Sequence, residues 1–203
     1  MRQIIQFFAA GFLIIVFNSC HKNHDNEDSP IDQNDSLSIC ADVFYKDFIP
    51  DTIINFPYLN TLVFDLKVNS DSIPDIRFNL NHHNWNYGPH IYDSYLIWMD
   101  SLNSMQFIAT NYCDGPCSWA LDSNDIICDT NKIVSHFELF RKTMENSLEC
   151  GCFSTMGFVG FKFKNANNIF YGWIRLKADY SGLLINDFAI CNCPNKPIKI
   201  GYH

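Results

Sequence analysis

The segment Ile174-Arg175-Leu176-Lys177-Ala178 alternates apolar and charged side chains. Successive side chains of an extended chain point to opposite faces, so this pattern places one row against a core and the other in water. The same alternation occurs in Phe64–Val68, Ile76–Leu80 and Phe161–Lys164. Turn-forming residues bound further short apolar runs, at Ile91–Met99, Met105–Ala109, Leu183–Ile190 and Ile198–Ile200. The sequence therefore predicts an all-β fold, either an antiparallel β-sandwich or a jelly roll.

One segment, Lys132–Met144, has helical as well as extended character. Its residues Ile133, Phe137, Phe140 and Met144 have the spacing i, i+4, i+7 and i+11, which forms one stripe along a helix. Other apolar residues between these positions blur the stripe. We therefore expect at most one short helix, and a strand is the alternative for this segment.

Length and composition exclude several classes of protein. The chain has 203 residues, of which 47% are hydrophobic, 15% aromatic and 18% charged. This composition supports a packed core and excludes a disordered chain, a collagen and a polytopic membrane protein. With 14 Lys and Arg against 22 Asp and Glu, the net charge is −8, which offers no positive field for a nucleic-acid backbone. We therefore expect no nucleic-acid partner.

The first twenty residues have the character of an export signal. The segment Ile4–Phe17 is apolar with one polar interruption, and its length suits the core of a signal peptide better than a membrane-spanning helix. Phe17-Asn18-Ser19-Cys20 then resembles the bacterial lipoprotein signal, in which the cysteine is lipidated and becomes the mature N-terminus. The resemblance implies a signal peptide over residues 1–19 and a membrane anchor on Cys20. An ordinary secretory signal is the alternative.

Residues 20–39 have the composition of a lipidated N-terminus followed by a flexible acidic stalk. No apolar residue lies between His21 and Pro30, so this segment cannot bury enough surface to offset the entropy of ordering. Its acidic residues resemble the tract that directs lipoproteins of the Bacteroidetes to the outer face of the outer membrane: Asp25, Glu27 and Asp28. A solvated spacer would also be acidic. We expect one folded β-sandwich domain over residues 40–203.

The C-terminal part of the domain contains a distinctive series of short segments. These are Gly157-Phe158-Val159-Gly160-Phe161-Lys162-Phe163, Tyr171-Gly172-Trp173-Ile174-Arg175-Leu176, Asp187-Phe188-Ala189 and Lys196-Pro197-Ile198-Lys199-Ile200-Gly201. The series resembles the C-terminal half of a family of secreted bacterial proteins of unknown activity. The resemblance implies β-hairpin scaffolding and carries no catalytic role.

The turn between two of the alternating segments resembles a degenerate calcium loop. Asn69, Asp71 and Asp75 match oxygen ligands of the pattern Asp-x-Asn-x-Asp-Gly-x-x-Asp. Lys67 replaces the first carboxylate and Ser72 replaces the glycine. Calcium is therefore a candidate cofactor, and an ordinary turn without any cofactor is the alternative.

The chain has nine cysteines, and eight are left when Cys20 is assigned to the lipid. An even number in an exported protein is typical of a disulfide framework. The candidates are Cys40, Cys113, Cys117, Cys128, Cys150, Cys152, Cys191 and Cys193. Two C-x-C pairs are present, and because a ring closed within such a pair is strained, we expect each of these cysteines to reach a different partner. A zinc site with four thiolates from the two pairs is the alternative.

The most polar and aromatic stretch of the sequence is Asn81–His90. Trp85 and Tyr87 are candidate ligand contacts, because aromatic faces beside asparagine side chains suit a sugar or a peptide. Three histidines of the stretch would suit a transition metal, namely His82, His83 and His90. A long connecting loop without a ligand is the third interpretation.

Neither a Gly-x-Ser-x-Gly nor a His-Glu-x-x-His motif occurs in the sequence. We therefore expect no enzyme, but a lipid-anchored binding or structural module of the cell envelope, with a glycan or an envelope protein as partner. Two alternatives stay open. One is a glycan-binding or glycan-acting lipoprotein, with a pocket lined by Trp85, Tyr87, Trp98 or Trp119; the other is a metal-binding protein.

Overall fold

The structure is a computed structural model, and it describes residues 38–69, 72–87, 90–109, 120–129, 131–143, 149–151 and 153–203. Every regular element within these ranges is a β-strand, which confirms the all-β fold class. The pairing of the described strands is antiparallel. No helical segment in these ranges has the length and apolar character that a bilayer crossing requires.

The described strands form three sheets. In chain order they are β1 (Val43–Asn55), β2 (Thr61–Leu66), β3 (Ile76–Tyr87), β4 (His90–Ser101), β5 (Met105–Ala109), β6 (Ile126–Ile127), β7 (Lys132–Val134), β8 (His136–Thr143), β9 (Glu149–Cys150), β10 (Gly157–Asn165), β11 (Asn168–Asp179), β12 (Gly182–Cys191) and β13 (Ile198–Lys199). A six-stranded sheet has the order β1-β12-β11-β10-β5-β7, and a five-stranded sheet has the order β2-β3-β4-β8-β9. The short strands β13 and β6 pair with each other.

The two large sheets pack face to face around one apolar core. Phe78 and Ile97 come from the five-stranded sheet, while Phe107, Phe161 and Ile174 come from the six-stranded sheet. All five side chains are fully buried. This packing of two antiparallel sheets through their apolar faces is the β-sandwich that the alternating segments predict.

The six-stranded sheet is also apolar on its outer face, where a second core lies. Tyr171, Trp173 and Ala189 pack there against Ile127 of β6 and Ile198 of β13. Trp173 is only 1% exposed. The outward row of β11 is therefore partly covered by protein, whereas the alternation alone predicted water on that side.

The helical interpretation of Lys132–Met144 is wrong, because β7 and β8 occupy the described part of this segment. The register of β8 on β4 shifts between Glu138 and Phe140, which makes Leu139 an extra residue in a β-bulge. Phe137 and Phe140 therefore both lie in the core, although they are three residues apart. The bulge thus produces part of the spacing that resembled a helical stripe.

Strand β1 has no counterpart among the sequence predictions. It contains Pro50, which has no N–H for a sheet hydrogen bond and normally argues against a strand. The structure places β1 at the edge of its sheet, and its register on β12 shifts between Asp47 and Thr52. An edge strand with an irregularity accommodates proline, because the missing N–H falls where the sheet pairing is interrupted.

Candidate functional site

The outer face of the five-stranded sheet has a polar and aromatic surface. Strand alternation and register bring together eight side chains, which we call the Trp98 face: Asp65, Arg77, Asn79, Trp98, Asp100, His136, Glu138 and Arg141. In register, Trp98 of β4 lies between Asn79 of β3 and Glu138 of β8. The side chains of the face range from buried to well exposed, with His136 at 57%.

Asp100 is the centre of the hydrogen-bond network on the Trp98 face. Its Oδ2 accepts hydrogen bonds from Asn79 Nδ2 at 2.9 Å and from Trp98 Nε1 at 3.1 Å. Its Oδ1 lies 2.7 Å from Nδ1 of His136. A carboxylate can only accept, so Nδ1 of His136 carries the proton. The network fixes the indole of Trp98 and the imidazole of His136 in defined positions.

Two arginine–carboxylate pairs flank Trp98. Arg77 donates to Asp65 through Nε at 2.8 Å and through its terminal nitrogen at 3.0 Å. Arg141 donates to Glu138 in the same bidentate manner, at 2.9 and 2.7 Å. The hydrogen bonds from Arg77 lower the pKa of Asp65 below its usual value. Both guanidinium groups are thus directed at carboxylates of the same face.

The proposed ligand contacts Trp85 and Tyr87 lie on β3, in register opposite Tyr92 and His90 of β4. Asn81–Tyr87 are therefore strand residues and His90 begins the next strand, so these residues do not form a long connecting loop. The structure describes the backbone of Trp85 and Tyr87 but not their side chains. Trp119 is not among the described residues. Trp98, which the sequence analysis named with Trp85, Tyr87 and Trp119 as a candidate pocket residue, lies on the outer face of the five-stranded sheet.

His82 and His83, which are neighbours on β3, differ in burial and in the sheet face on which they lie. His82 is buried, with Nε2 3.2 Å from Asp93 Oδ1 and its ring stacked on Tyr95 at 4.4 Å between centroids, whereas His83 is exposed. Neighbouring strand residues point to opposite faces, so these two cannot share a metal. Within the described ranges no group of three or more His, Cys, Asp or Glu side chains is placed to hold a metal ion.

In the calcium-like loop, the carboxylate of Asp75 is engaged within the loop. Its Oδ2 accepts from the backbone N–H of Val68 at 2.9 Å and of Asn69 at 3.3 Å, and its Oδ1 accepts from Asn69 Nδ2 at 2.9 Å. Asp75 is 4% exposed. Asp71 lies outside the described residues, so calcium binding stays a prediction.

Cys40 and Cys191 form a disulfide across 151 residues of sequence. The bond confirms that the domain is disulfide-linked, and it removes Cys191 from the four-thiolate zinc alternative. Cys128 and Cys193 are half-buried. The other candidates have no described side chain: Cys150 lies on β9, and Cys113, Cys117 and Cys152 lie outside the described residues.

A second network, which the sequence did not indicate, lies on the outer face of the six-stranded sheet. Asp187 is fully buried, accepts two hydrogen bonds from Arg175, and accepts one from the Tyr45 hydroxyl at 2.7 Å. Burial and the hydrogen bond to Asp187 raise the pKa of Tyr45 to about 12. Because the carboxylate is enclosed, this network ties β1, β11 and β12 together and has a structural role.

Fold and surface together define the protein as a disulfide-linked antiparallel β-sandwich, in which the outer face of the five-stranded sheet has an organised polar and aromatic surface. Comparisons of the chain with protein-family models, curated proteins and solved structures found no match.

Proposed function

We propose that the protein is a non-catalytic binding module, held on the outer membrane by a lipid on Cys20 and exposed to the surroundings of the cell. The observation that carries the binding role is the Trp98 face. A module of this kind needs a rigid scaffold and one ordered surface that solvent, and therefore a partner, can reach.

The contrast between the two outer faces supports this role. The six-stranded sheet has a second core on its outer side, whereas the five-stranded sheet has solvent-exposed groups there, including Arg77 and Arg141 at 43% each. A merely solvated sheet face needs only polar side chains. The hydrogen bond that fixes the indole of Trp98 to Asp100 goes beyond that need, and a fixed indole lowers the entropy cost of binding.

The state of the carboxylates supports a non-catalytic role. General acid–base catalysis needs an oxygen that exchanges a proton with the substrate. Asp100 already takes part in hydrogen bonds to three side chains, and both oxygens of Glu138 accept from Arg141. These groups orient their neighbours, so a role in positioning Trp98 suits them better than proton transfer.

Two observations support the location. Residues 1–20 resemble a lipoprotein signal, and a disulfide such as Cys40–Cys191 persists in oxidising surroundings outside the cytoplasm. The disulfide lies at the start of the folded domain, where residues 20–39 would join it. A stalk that leaves from this point would carry the whole sandwich away from the membrane.

Mass spectrometry of the full-length protein from its native cells, combined with labelling of intact cells by a membrane-impermeant amine reagent, tests this proposal. We expect an acylated Cys20 as the first residue and labelling without lysis. The variant Cys20→Ala serves as the control and should lose the acyl mass and leave the membrane fraction. An intact Met1 terminus, or labelling only after lysis, would overturn the proposal.

A further inference from the structure

We infer that the Trp98 face binds a neutral saccharide, with the indole of Trp98 as the stacking surface. The inference deepens the proposed function and rests on it for the location of the ligand outside the cell. Four features of the face lead to this ligand class.

The first feature is the fixed indole. Trp98 is half-buried, and Asn79 and Glu138 on either side of it are each 7% exposed. The hydrogen bond from Nε1 to Asp100 uses the one polar atom of the ring, so what the indole offers to a ligand is its apolar surface. A sugar ring has apolar C–H faces and polar edges, and ligand sites pair apolar surface with a few placed polar groups in that way.

The second feature is the balance of charge. Arg77 and Arg141 are the guanidinium groups of this face, and each is already paired in a bidentate manner with a carboxylate of the same face. Recognition of a carboxylate or sulfate ligand uses the same fork of the guanidinium. An acidic saccharide that used this same fork would have to displace Asp65 or Glu138, whereas a neutral one leaves both pairs intact.

The third feature is the supply of hydrogen-bonding groups around the indole. With Nδ1 of His136 directed to Asp100, the second ring nitrogen of this exposed side chain is left to interact with a ligand hydroxyl. Each arginine uses two of its five N–H donors in the ion pair. These groups surround Trp98 with both donors and acceptors, which is what sugar hydroxyls require.

The fourth feature is Asn81, two residues along β3 from Asn79 and therefore on the same face of the sheet. Its side-chain oxygen is buried and has no hydrogen-bond partner among the described residues. Unsatisfied buried acceptors are uncommon, and a ligand hydroxyl is a donor of the kind that this oxygen lacks.

Affinity electrophoresis of the full-length protein in detergent tests the inference, with gels that contain a neutral polysaccharide (xylan, mannan or mixed-linkage β-glucan) or an anionic one (polygalacturonate or alginate). We expect retardation by at least one neutral polysaccharide and none by the anionic ones. Trp98→Ala should raise the dissociation constant obtained from the retardation by about tenfold or more, and a tenfold change corresponds to about 1.4 kcal/mol. Trp98→Tyr keeps a stacking ring and should retain most of the binding.

Two further variants keep the test decisive. Tyr202→Ala removes an exposed aromatic ring near the C-terminus, away from this face, and should bind as the unchanged protein does. His136→Ala alters a well-exposed side chain, so folding is preserved even if Trp98→Ala fails to fold, and it should weaken binding by about threefold.

Three results would overturn the saccharide inference: no retardation by any neutral polysaccharide, retardation by the anionic ones that salt abolishes, or full binding by both Trp98→Ala and His136→Ala. None of these results bears on the acyl mass or on labelling of intact cells. The failure of the saccharide inference is therefore distinguishable from the failure of the proposed function.

Discussion

Glu138 and Arg141 are three residues apart on strand β8, yet their side chains form a bidentate ion pair on one face of the sheet. In a regular strand such residues point to opposite faces. The extra residue Leu139 in the register between β8 and β4 removes this difference. The same bulge places Glu138 opposite Trp98 and Arg141 opposite Leu96, so one irregular residue brings two of the eight side chains of the Trp98 face together.

The variant Arg141→Ala tests the importance of this pair. Glu138 is 8% exposed in its side chain, so loss of the guanidinium removes both charge-assisted hydrogen bonds from a buried carboxylate. We expect the free energy of unfolding to fall by about 1–3 kcal/mol, as measured by urea denaturation. The matched variant Arg77→Ala should have a smaller effect, because Asp65 is 31% exposed and water replaces the lost partner. Equal losses in the two variants would contradict this argument.

The strands that the sequence predicted are those whose pattern is local. Alternation over five residues, as in Ile174–Ala178, depends only on the two-residue period of an extended chain, and the structure confirms it in β11. Strand β1 has no counterpart among the sequence predictions, and the edge position that accommodates its Pro50 is a property of the whole sheet. The bulge at Leu139 was misread for a similar reason, since it exists only relative to β4.

The candidate site was less predictable than the fold. Trp98 was recognisable as an aromatic residue, but Asp100 and His136 are 36 residues apart and meet only through the register of β4 and β8. Trp85 and Tyr87 stand out in the sequence only through the aromatic and asparagine-rich composition around them. Register and side-chain networks are non-local, so a single sequence without its pairing could not indicate the Trp98 face.

The glycine of the Tyr-Gly-Trp segment provides a second test. A Cβ at Gly172 would lie 2.4 Å from Cζ of Phe161 and 2.6 Å from the backbone oxygen of Ala189. Phe161 is the cross-strand partner of Gly172, and its ring occupies the space above the glycine. We expect Gly172→Ala to lower the free energy of unfolding by about 1–3 kcal/mol, because the core has to shift.

Gly151→Ala is the matched control for this variant. The nearest atom to a Cβ at Gly151 is Cβ of Ser154 at 3.5 Å, which is an ordinary contact. Its unfolding midpoint in urea should stay close to that of the unchanged protein. If Gly172→Ala were as stable as Gly151→Ala, the close packing of Phe161 on the glycine would not be required for the fold.

The disulfide provides a third test. Cys40 and Cys191 are separated by 151 residues, so the bond restricts almost the whole unfolded domain. The double variant Cys40→Ala/Cys191→Ala should lose about 2–5 kcal/mol of stability against urea. If the unchanged protein is denatured, reduced and refolded with its thiols kept reduced, its free energy of unfolding in urea should also be lower than that of the disulfide-bonded protein. Stability that does not change in either experiment would rule out a contribution of this bond.

Alkaline titration provides the last test, because burial of Tyr45 and of Tyr171 raises the pKa of each to about 12 from a usual value of 10.0. Hydrogen bonds to Asp187 and Asp129 act in the same direction. A raised pKa means that the folded protein keeps the neutral phenol when the unfolded chain has already lost the proton. Stability from these two groups is therefore fully present below pH 10 and is lost as the pH rises from about 10 to about 12.

Absorbance at the phenolate band and urea denaturation at several pH values measure this effect. We expect late-ionising tyrosines in the folded protein and a free energy of unfolding that falls through this pH range. Tyr45→Phe should remove one late-ionising group and make the fall less steep, and Tyr171→Phe should do the same, because each variant removes one of the two phenols responsible. A folded protein in which neither variant changes the late part of the titration would show that these hydroxyls are not held by Asp187 and Asp129.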